Sequence, residues 1–209
     1  MSGPSSSLVV VDHPLLADRL AQLRDSATGA GAFRRLAGEI AGFLAWEASR
    51  DIAVRDVVVD SPLGPAGGRR LADPKPLVVP ILRAGLGMVE GVWGLMPSAE
   101  VWHIGLYRDE HTLRPVEYYN KLPLEPTVSV CLILDPMLAT GGSATATADV
   151  LKKWGVKKIK FVGLIAGCLV VSELLRWLNG GPELPVQFRA LRAGGDKFGL
   201  VLEGFPGLA

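Results

Sequence analysis

Residues 130–143 read Val130-Cys131-Leu132-Ile133-Leu134-Asp135-Pro136-Met137-Leu138-Ala139-Thr140-Gly141-Gly142-Ser143, a pattern typical of a strand, a short loop and the start of a helix. Its unbroken apolar run predicts a strand that is buried on both faces, as in a parallel sheet. The run ends at Asp135, and a loop of small and hydroxyl residues leads into a predicted helix over residues 143–154. Glycines in the loop let backbone N–H groups close on an anion, and the helix points its positive end at the same place. The stretch therefore predicts a sugar-phosphate site in which Asp135 accepts hydrogen bonds from ribose hydroxyls.

The same features also occur in ordinary connections between a strand and a helix. An apolar run, one aspartate and a pair of glycines are by themselves weak signals of a binding site. The loop lacks the Gly-Lys-Ser/Thr ending of a P-loop, which argues against a nucleoside triphosphatase. The choice between a site and a plain turn therefore depends on the rest of the chain.

The composition excludes several classes of protein. The chain has 209 residues, enough for one domain with a full core, and 49% of them are hydrophobic, which argues against extended disorder. A net charge of +1 gives no basis for a nucleic-acid or acidic-membrane partner. Five lysines cluster around the end of the predicted helix, and a solvated helix end is the simplest account of them. They are Lys152, Lys153, Lys157, Lys158 and Lys160.

The cysteines and the N-terminus predict a cytoplasmic protein. Cys131 and Cys168 lie in apolar runs and are predicted to be buried and reduced, and no Cys/His pair has zinc-site spacing. Residues 1–10 are expected to form a disordered leader, without the basic and apolar regions of a signal peptide. The longest apolar run, residues 161–171, is shorter than the roughly 20 residues of a membrane-spanning helix.

Helices and strands alternate through most of the chain. Asp12 is the predicted N-cap of a first helix that ends near Arg24, and residues 61–76, rich in glycine and proline, are predicted to be a loop. Helices are also predicted at residues 32–50, 84–95 and 143–154, the last capped by Gly155, and strands at residues 77–82, 101–107, 128–134 and 159–166. This alternation predicts an α/β fold with a central parallel sheet flanked by helices, forming one domain over residues 11–209. Ligands of such sheets bind at the carboxyl ends of the strands.

Four segments, in order along the chain, resemble one enzyme family, the uracil phosphoribosyltransferases. Residues 80–88, which include Arg83, resemble its diphosphate loop, and residues 103–109 resemble the strand end that carries its second phosphate-binding arginine. Residues 115–123, called the arm below, resemble the segment that folds over the family's active site. Residues 135–144 match the family's phosphoribosyl-diphosphate loop residue for residue. The resemblance runs from about residue 11 to about residue 166.

The resemblance implies a type I phosphoribosyltransferase fold with a small hood from the chain ends. It implies transfer of a phosphoribosyl group from phosphoribosyl diphosphate to uracil, giving UMP and diphosphate. The implied catalytic residues are Asp135, which holds the ribose hydroxyls, and Arg83 and Arg108, which hold the diphosphate. Residues implied to bind phosphoribosyl diphosphate are Arg83, Arg108, Asp135, Pro136, Met137, Leu138, Ala139, Thr140, Gly141, Gly142 and Ser143. The family also implies Mg²⁺ bound through the substrate rather than by direct protein ligands, a homo-oligomer, and a nucleotide effector such as GTP.

Two side chains near these motifs have simpler interpretations, and the arm has more than one. His103 is expected to pack in the core rather than to act as a base, and Asp109 to orient Arg108. The arm is expected to act as a flap that excludes water. An ordinary surface hairpin, or a subunit interface around Tyr118 and Tyr119, would also explain its sequence.

The family's motifs stop after Ala166. The family's C-terminal signature, Gly-Tyr-Ile-Val-Pro-Gly-Leu-Gly-Asp-Ala-Gly-Asp-Arg, supplies the backbone groups that recognise uracil, whereas this chain ends Gly204-Phe205-Pro206-Gly207-Leu208-Ala209. Phe205 and Gly207 are therefore the candidate uracil-binding residues. One hypothesis is that residues 167–209 come from a shifted reading frame or an alternative exon, and an undisturbed nucleotide sequence would contradict it.

Three functions stay open at this point. The first is an active uracil phosphoribosyltransferase. The second is a catalytically weak or inactive homologue that binds phosphoribosyl diphosphate as a regulatory or interaction protein. The third is a regulator of the same fold that binds RNA, which requires a basic face that a net charge of +1 does not suggest.

Overall fold

The computed structural model describes residues 7–72, 76–109, 115–138, 141–167 and 196–203. A mostly parallel sheet is flanked by helices, and two further strands form a separate hairpin. The helices are α1 (Pro14–Arg24), α2 (Ala30–Ala48), α3 (Leu86–Leu95) and α4 (Gly142–Trp154). The strands are β1 (Ser7–Val10), β2 (Val54–Ser61), β3 (Gly64–Leu71), β4 (Leu77–Leu82), β5 (Glu100–Val101), β6 (Ile104–Arg108), β7 (Pro115–Asn120), β8 (Val130–Leu134), β9 (Met137–Leu138), β10 (Lys158–Gly167) and β11 (Asp196–Glu203).

Strands β4 and β8 lie side by side at the centre of the sheet. The strand order is β1-β11-β10-β8-β4-β6-β7, and β10, β8, β4 and β6 run parallel to one another. From β4 the chain passes through α3 to β6 on one side, and from β8 it passes through α4 to β10 on the other. The chain therefore leaves these neighbouring strands in opposite directions. In open α/β sheets such a switch point opens a binding crevice beyond the carboxyl ends of the strands.

The central strands are apolar throughout because both of their faces are buried. Leu77, Val79 and Ile133 pack into a hydrophobic cluster with α4, whereas Val78 and Leu132 pack into a second cluster with α1, α2 and α3. All five side chains are fully buried. The predicted sheet, covered on both faces, is confirmed.

The predicted helix after the phosphate loop is confirmed, including its end. Gly155 adopts the left-handed conformation with φ 101°, and its N–H donates to the carbonyls of Leu151 and Lys152. A residue with a Cβ is strained in this conformation, which explains the glycine. Among the predicted strands, residues 101–107 form β5 and β6 with an interruption at residues 102–103.

The N-terminus differs from its prediction in two respects. His13, not Asp12, caps α1, because its Nδ1 accepts a hydrogen bond from the N–H of Leu15 at 3.2 Å. Part of the expected leader forms β1, which pairs antiparallel with β11. Val9 packs against the cluster under α1, α2 and α3, so pairing and apolar burial together order this segment. The first six residues lie outside the described part of the chain.

The prediction of a loop at residues 61–76 was wrong for most of that range. It contains β3, which pairs antiparallel with β2 in unbroken register from Val54↔Leu71 to Ser61↔Gly64. Gly64 has φ 112°, and the hydroxyl of Ser61 donates to its carbonyl at 2.6 Å. Three glycines and a proline gave β3 little strand propensity, and its structure depends on cross-strand pairing.

The solvated-helix account of the lysine cluster was wrong for Lys160. This residue lies in β10 and is fully buried. Its Nζ donates to Asp51 Oδ1 at 2.5 Å and to the carbonyl of Ala48 at 2.6 Å, at the end of α2. Lys158, two residues earlier on the same strand, also pairs with Asp51. A carboxylate and a helix carbonyl satisfy the buried ammonium group.

Two remaining predictions concern burial and the C-terminal region. Cys131 is a buried free cysteine, as predicted, whereas Cys168 lies outside the described residues. The C-terminal part of the expected hood includes residues 168–195 and 204–209, which also lie outside them. Over the described ranges, no helix combines the length and apolar character needed to cross a membrane.

Candidate active site

Three of the predicted site residues lie at the carboxyl ends of neighbouring strands. Asp135 follows β8, Arg83 follows β4, and Arg108 is the last residue of β6. Their strands are hydrogen-bonded neighbours, so the three residues follow one edge of the sheet, and the strand registers place Arg83 further along the strand direction than Asp135, and Arg108 further along than Arg83. Asp135 and Arg83 flank the switch point itself. The edge therefore carries the carboxylate of Asp135, the guanidinium of Arg83 and the backbone of Arg108.

Asp135 has a half-buried carboxyl group with a raised pKa. Burial raises the pKa of Asp135 from 3.8 to about 6, and a hydrogen bond from the backbone N–H of Met137 opposes that rise. The N–H of Asp135 donates to the carbonyl of Val162 at 3.2 Å, which fixes its backbone to β10. Hydroxyl donors of a bound sugar would favour the charged carboxylate, so the group is suited to bind vicinal hydroxyls.

The loop after Asp135 is held by β10. The N–H groups of Leu164 and Ile165 both donate to the carbonyl of Pro136 at 3.1 Å, and β9 pairs parallel with β10. The side chain of Leu138 is buried in the core, whereas that of Met137 is exposed. Of these loop residues, Leu138 can therefore offer a ligand its backbone but not its side chain.

Helix α4 begins without a side-chain cap. Its N-cap, Gly141, is left-handed with φ 76°, and its first turn contains no acidic residue. The first N–H groups of a helix have no partner within the helix, so those of Gly142 and Ser143 point toward the loop. Together with the helix dipole, donors placed in this way can bind an anion. Ala139 and Thr140, predicted to belong to it, lie outside the described residues.

The turn after β4 presents Arg83 and buries Gly85. The peptide bond between Leu82 and Arg83 is cis. The N–H of Gly85 donates to the carbonyl of Ile81 at 2.9 Å. Within the part of the chain that the structure describes, the N–H groups of Arg83 and Ala84 donate to no backbone carbonyl. Both residues are exposed, so the turn offers a guanidinium group and two backbone donors.

Strand β6 pairs with the beginning of the arm. Arg108 is in register with Pro115 of β7, and the register shifts between Gly105 and Leu106. A Cβ on Gly105 would lie 2.6 Å from Cζ of Tyr118, so this ring packs directly over the glycine backbone. The arm therefore starts as an antiparallel extension of the sheet. This matches the alternative of a surface hairpin, and its movement as a flap stays a prediction.

Two other predictions concern His103 and the candidate uracil-binding residues. His103 is half-buried between β5 and β6 rather than fully packed within a strand. Phe205 and Gly207, the candidate uracil-binding residues, lie outside the described residues. They follow β11, which pairs antiparallel with β10.

Gly163 in β10 lies next to the backbone of Asp135, a contact that the sequence motifs did not predict. A Cβ at this position would lie 3.2 Å from the carbonyl oxygen of Asp135 and 2.9 Å from Cε1 of Phe161. The glycine therefore allows the backbone of Asp135 to lie against β10. A glycine inside an apolar strand is a signal of such a close approach, and it was visible in the sequence.

This geometry suits a ligand that carries both sugar hydroxyls and phosphates. The model of one protein family, described as uracil phosphoribosyltransferase, matches residues 10–186. The chain belongs to the uracil phosphoribosyltransferase family. This assignment agrees with the resemblance carried by the four sequence motifs.

Relatives in the family cover nearly the whole chain. A uracil phosphoribosyltransferase of Roseiflexus sp. strain RS-1 is 46% identical over 199 residues, covering 95% of this chain and 94% of that protein. One of Geobacillus kaustophilus is 51% identical over 195 residues, covering 93% and 92% of the two chains. The solved structure of the AQ2163 protein from Aquifex aeolicus is 32% identical, has a TM-score of 0.75 and covers 82% of both chains. Similarity to the family therefore continues past Ala166, where the recognisable motifs stop.

Proposed function

We propose that this chain transfers the phosphoribosyl group of phosphoribosyl diphosphate to N1 of uracil, forming UMP and diphosphate. One observation carries the proposal. In a chain of this family, Asp135, the exposed turn at Arg83 and the start of α4 all follow the carboxyl ends of β4 and β8, the two strands at the switch point.

The start of α4 binds the 5′-phosphate in this proposal. The N–H groups of Gly142 and Ser143 donate to the phosphate oxygens, and the helix dipole favours the negative charge. Thr140 and Gly141 complete the loop around it. Asp135 accepts hydrogen bonds from the two ribose hydroxyls, which orients C1′ toward the incoming base.

The arginines act on the leaving group. As the bond between C1′ and the diphosphate oxygen breaks, positive charge builds on the sugar and negative charge on the diphosphate. Arg83 and Arg108 stabilise the negative charge, helped by the backbone donors of Arg83 and Ala84. Uracil N1 forms the new bond to C1′ and its proton passes to the departing diphosphate, so no covalent intermediate with the protein is needed. The arm excludes water from the reactive sugar.

Mg²⁺ is the cofactor that the family implies. Magnesium prefers oxygen ligands and is commonly held by one or two carboxylates together with substrate phosphates. Asp135 is a carboxylate at the strand ends, so the site fits an ion that arrives with phosphoribosyl diphosphate and is held mainly by its oxygens. When bound, Mg²⁺ neutralises charge that develops on the diphosphate.

The alternative of an inactive homologue is not favoured. It was motivated by the absent C-terminal signature, yet the family model continues to residue 186 and the relative from Roseiflexus aligns with 95% of the chain. Phe205 and Gly207 remain our candidates for recognition of uracil.

Further properties of the chain belong to the same proposal. We place the enzyme in the cytoplasm as a homo-oligomer, with GTP as a candidate effector and without nucleic-acid or membrane partners. Burial of Cys131, which raises its thiol pKa, suits a reducing compartment. The exposed apolar side chains of Val58 and Leu63 on the β2–β3 hairpin suit contact with another subunit. GTP is included because the family implies a nucleotide effector.

The decisive experiment measures UMP formation from uracil and phosphoribosyl diphosphate with Mg²⁺, together with calorimetric binding of phosphoribosyl diphosphate. We expect turnover, and we expect Asp135→Asn to lower kcat/KM by about 10–100-fold, the loss of hydrogen bonds to a charged acceptor. Asp60→Asn, on the exposed hairpin, is the matched control and should leave both measurements unchanged. Binding without turnover would instead establish the inactive homologue, and absence of binding would refute the assigned crevice.

A further inference from the structure

Gly85 lies where the turn that carries Arg83 comes closest to the strand that carries Asp135. A Cβ built on Gly85 would lie 2.4 Å from the carbonyl oxygen of Leu134, and 2.8 Å and 3.0 Å from the backbone N and O of Ile81. All three atoms belong to the backbone, so no side-chain rotation could relieve the overlap. Leu134 is bonded directly to Asp135. The missing side chain therefore brings the two halves of the crevice into backbone contact.

The turn is fixed from within by its own hydrogen bonds. The N–H of Gly85 donates to the carbonyl of Ile81 at 2.9 Å, and its carbonyl accepts from the N–H of Met88 at 3.1 Å. Both backbone groups of Gly85 are thus used inside the protein. They hold the turn between β4 and the first turn of α3.

Helix α3, which follows the turn, is also held tightly. A Cβ on Gly91 would lie 1.8 Å from the carbonyl oxygen of Gly38, so α3 and α2 are in backbone contact. Movement of α3 toward α2 is therefore blocked. A turn pushed away from Leu134 has to move toward the crevice and solvent, where Arg83 and Ala84 are exposed.

We propose that Gly85 is a positioning residue: its lack of a side chain seats the Arg83 turn against the carbonyl of Leu134 and so sets the spacing between the diphosphate-binding and ribose-binding halves of the site. The proposal rests on the function proposed above. It concerns the relation between the two halves and not the chemistry of either, because Gly85 itself presents no free donor to the ligand.

This role predicts that ligands differ in their response to a methyl group at this position. Phosphoribosyl diphosphate spans both halves, so a displaced turn weakens its binding and misplaces its leaving group. UMP contacts Asp135 and the start of α4 but has no diphosphate. Its binding should therefore be insensitive to the position of the turn.

The test is Gly85→Ala, with kinetics and with calorimetric binding of both ligands. We expect the KM for phosphoribosyl diphosphate to rise at least tenfold and kcat to fall at least tenfold, while the Kd for UMP stays within twofold. Gly94→Ala adds the same methyl to α3 with no heavy atom within 4 Å, and it should match the wild type. Gly155→Ala, which strains a left-handed residue at the end of α4 away from the site, measures the effect of destabilisation alone and should not separate the two ligands.

The positioning role would be overturned if Gly85→Ala weakened the binding of both ligands equally, or weakened the binding of neither. Failure of the wild-type protein to bind phosphoribosyl diphosphate or to form UMP would instead overturn the proposed function, so the two failures are distinguishable.

Amide hydrogen exchange of the wild-type protein covers the case in which Gly85→Ala does not fold. A pre-seated turn requires the N–H groups of residues 85–88 to be protected already in the free enzyme, with less than a tenfold change on addition of diphosphate. Protection that appears only with diphosphate would show that the ligand, and not Gly85, positions the turn.

Discussion

Asp135 combines partial burial with a function that needs its negative charge. Burial holds its pKa near 6, so folding disfavours the carboxylate that the sugar hydroxyls require. A ligand that donates hydrogen bonds to this group recovers part of that cost. The position is thus expected to lower the stability of the free protein in exchange for binding.

Asp135→Asn should therefore stabilise the protein at pH 8. Because the folded-state pKa of Asp135 is raised, its favourable contribution is present below about 3.8 and is lost as pH rises through about 6. Each pKa unit corresponds to about 1.36 kcal/mol, and solvent access reduces the effect, so we expect a gain of about 1–3 kcal/mol. Urea unfolding at pH 8 and pH 4.5 measures the increase in the free energy of unfolding over the wild type, which should be less than half as large at the lower pH. A variant no more stable than the wild type at pH 8 would contradict the raised pKa.

Asp51 pairs with a buried lysine, so it should contribute more to the stability of the protein than an exposed carboxylate usually does. Its carboxylate is 40% exposed, yet it neutralises the fully buried Lys160. Removing one member of a buried pair leaves the other uncompensated, so we expect Asp51→Ala to cost about 2–4 kcal/mol. Lys158→Ala, which removes the half-exposed partner, should cost less than about 1 kcal/mol. Comparison of the two variants by urea unfolding at pH 7 measures the difference.

The pH dependence of the Asp51 contribution has the opposite sign to that of Asp135. Burial opposes ionisation of Asp51, but hydrogen bonds from Lys158 and Lys160 lower its pKa overall. Its stabilising effect is thus present above the ordinary value of 3.8 and is lost as pH falls through the lower folded-state pKa. Equal losses in Asp51→Ala and Lys158→Ala would show that Lys160 does not depend on the carboxylate.

At the scale of elements, the two ends of α4 have separate tasks that glycine substitutions can distinguish. Gly155→Ala places a Cβ in a left-handed residue at the end away from the site, and should cost about 1–2 kcal/mol in unfolding experiments. Gly155→Asn, which tolerates this conformation, should cost less. Neither should change the Kd for phosphoribosyl diphosphate, whereas Gly141→Ala at the other end should weaken it. A binding defect in Gly155→Ala would contradict this division.

The elements that were predicted well are those whose own residues indicate whether they are buried and where they end. The runs at residues 77–82 and 130–134 are apolar on both faces, which is typical of central parallel strands, and Gly155 marks a helix end. The β2–β3 hairpin was missed because β3 has weak strand propensity and is ordered by its partner. β1 was missed for the same reason, since it depends on β11, which lies far away in the sequence.

The candidate site followed the same rule. Asp135 and the start of α4 lie on one continuous segment, so their relation was visible from the sequence. The contact between Gly85 and Leu134 joins segments about fifty residues apart, and no local pattern specifies such a distance. Lys160 was wrongly predicted to be solvated. Its burial is possible only because the fold brings Asp51 and the carbonyl of Ala48 to its ammonium group, and both lie far from it in the sequence.

At the scale of the whole molecule, the sheet separates two hydrophobic cores and the site lies along its edge. One core packs beneath α4 and the other beneath α1, α2 and α3. The turn at Arg83 leads into α3 on one face, and the phosphate loop leads into α4 on the other. The crevice therefore draws its two halves from opposite cores, which the strands β4 and β8 hold together.

Separate cores predict additive effects of mutations on opposite faces. Ile40→Val in α2 and Ile159→Val in β10 each remove one methyl group from a fully buried side chain and should cost about 0.5–1.5 kcal/mol. Because Ile40 and Ile159 belong to different clusters, the double variant should equal the sum within about 0.5 kcal/mol. Ile133→Val with Ile159→Val, both within one cluster, is the matched comparison and should show a larger coupling energy. Urea unfolding of the single and double variants measures both cycles. Strong coupling across the sheet would mean that the two cores respond as one body, so that strain on the α3 side reaches the phosphate loop through the strands.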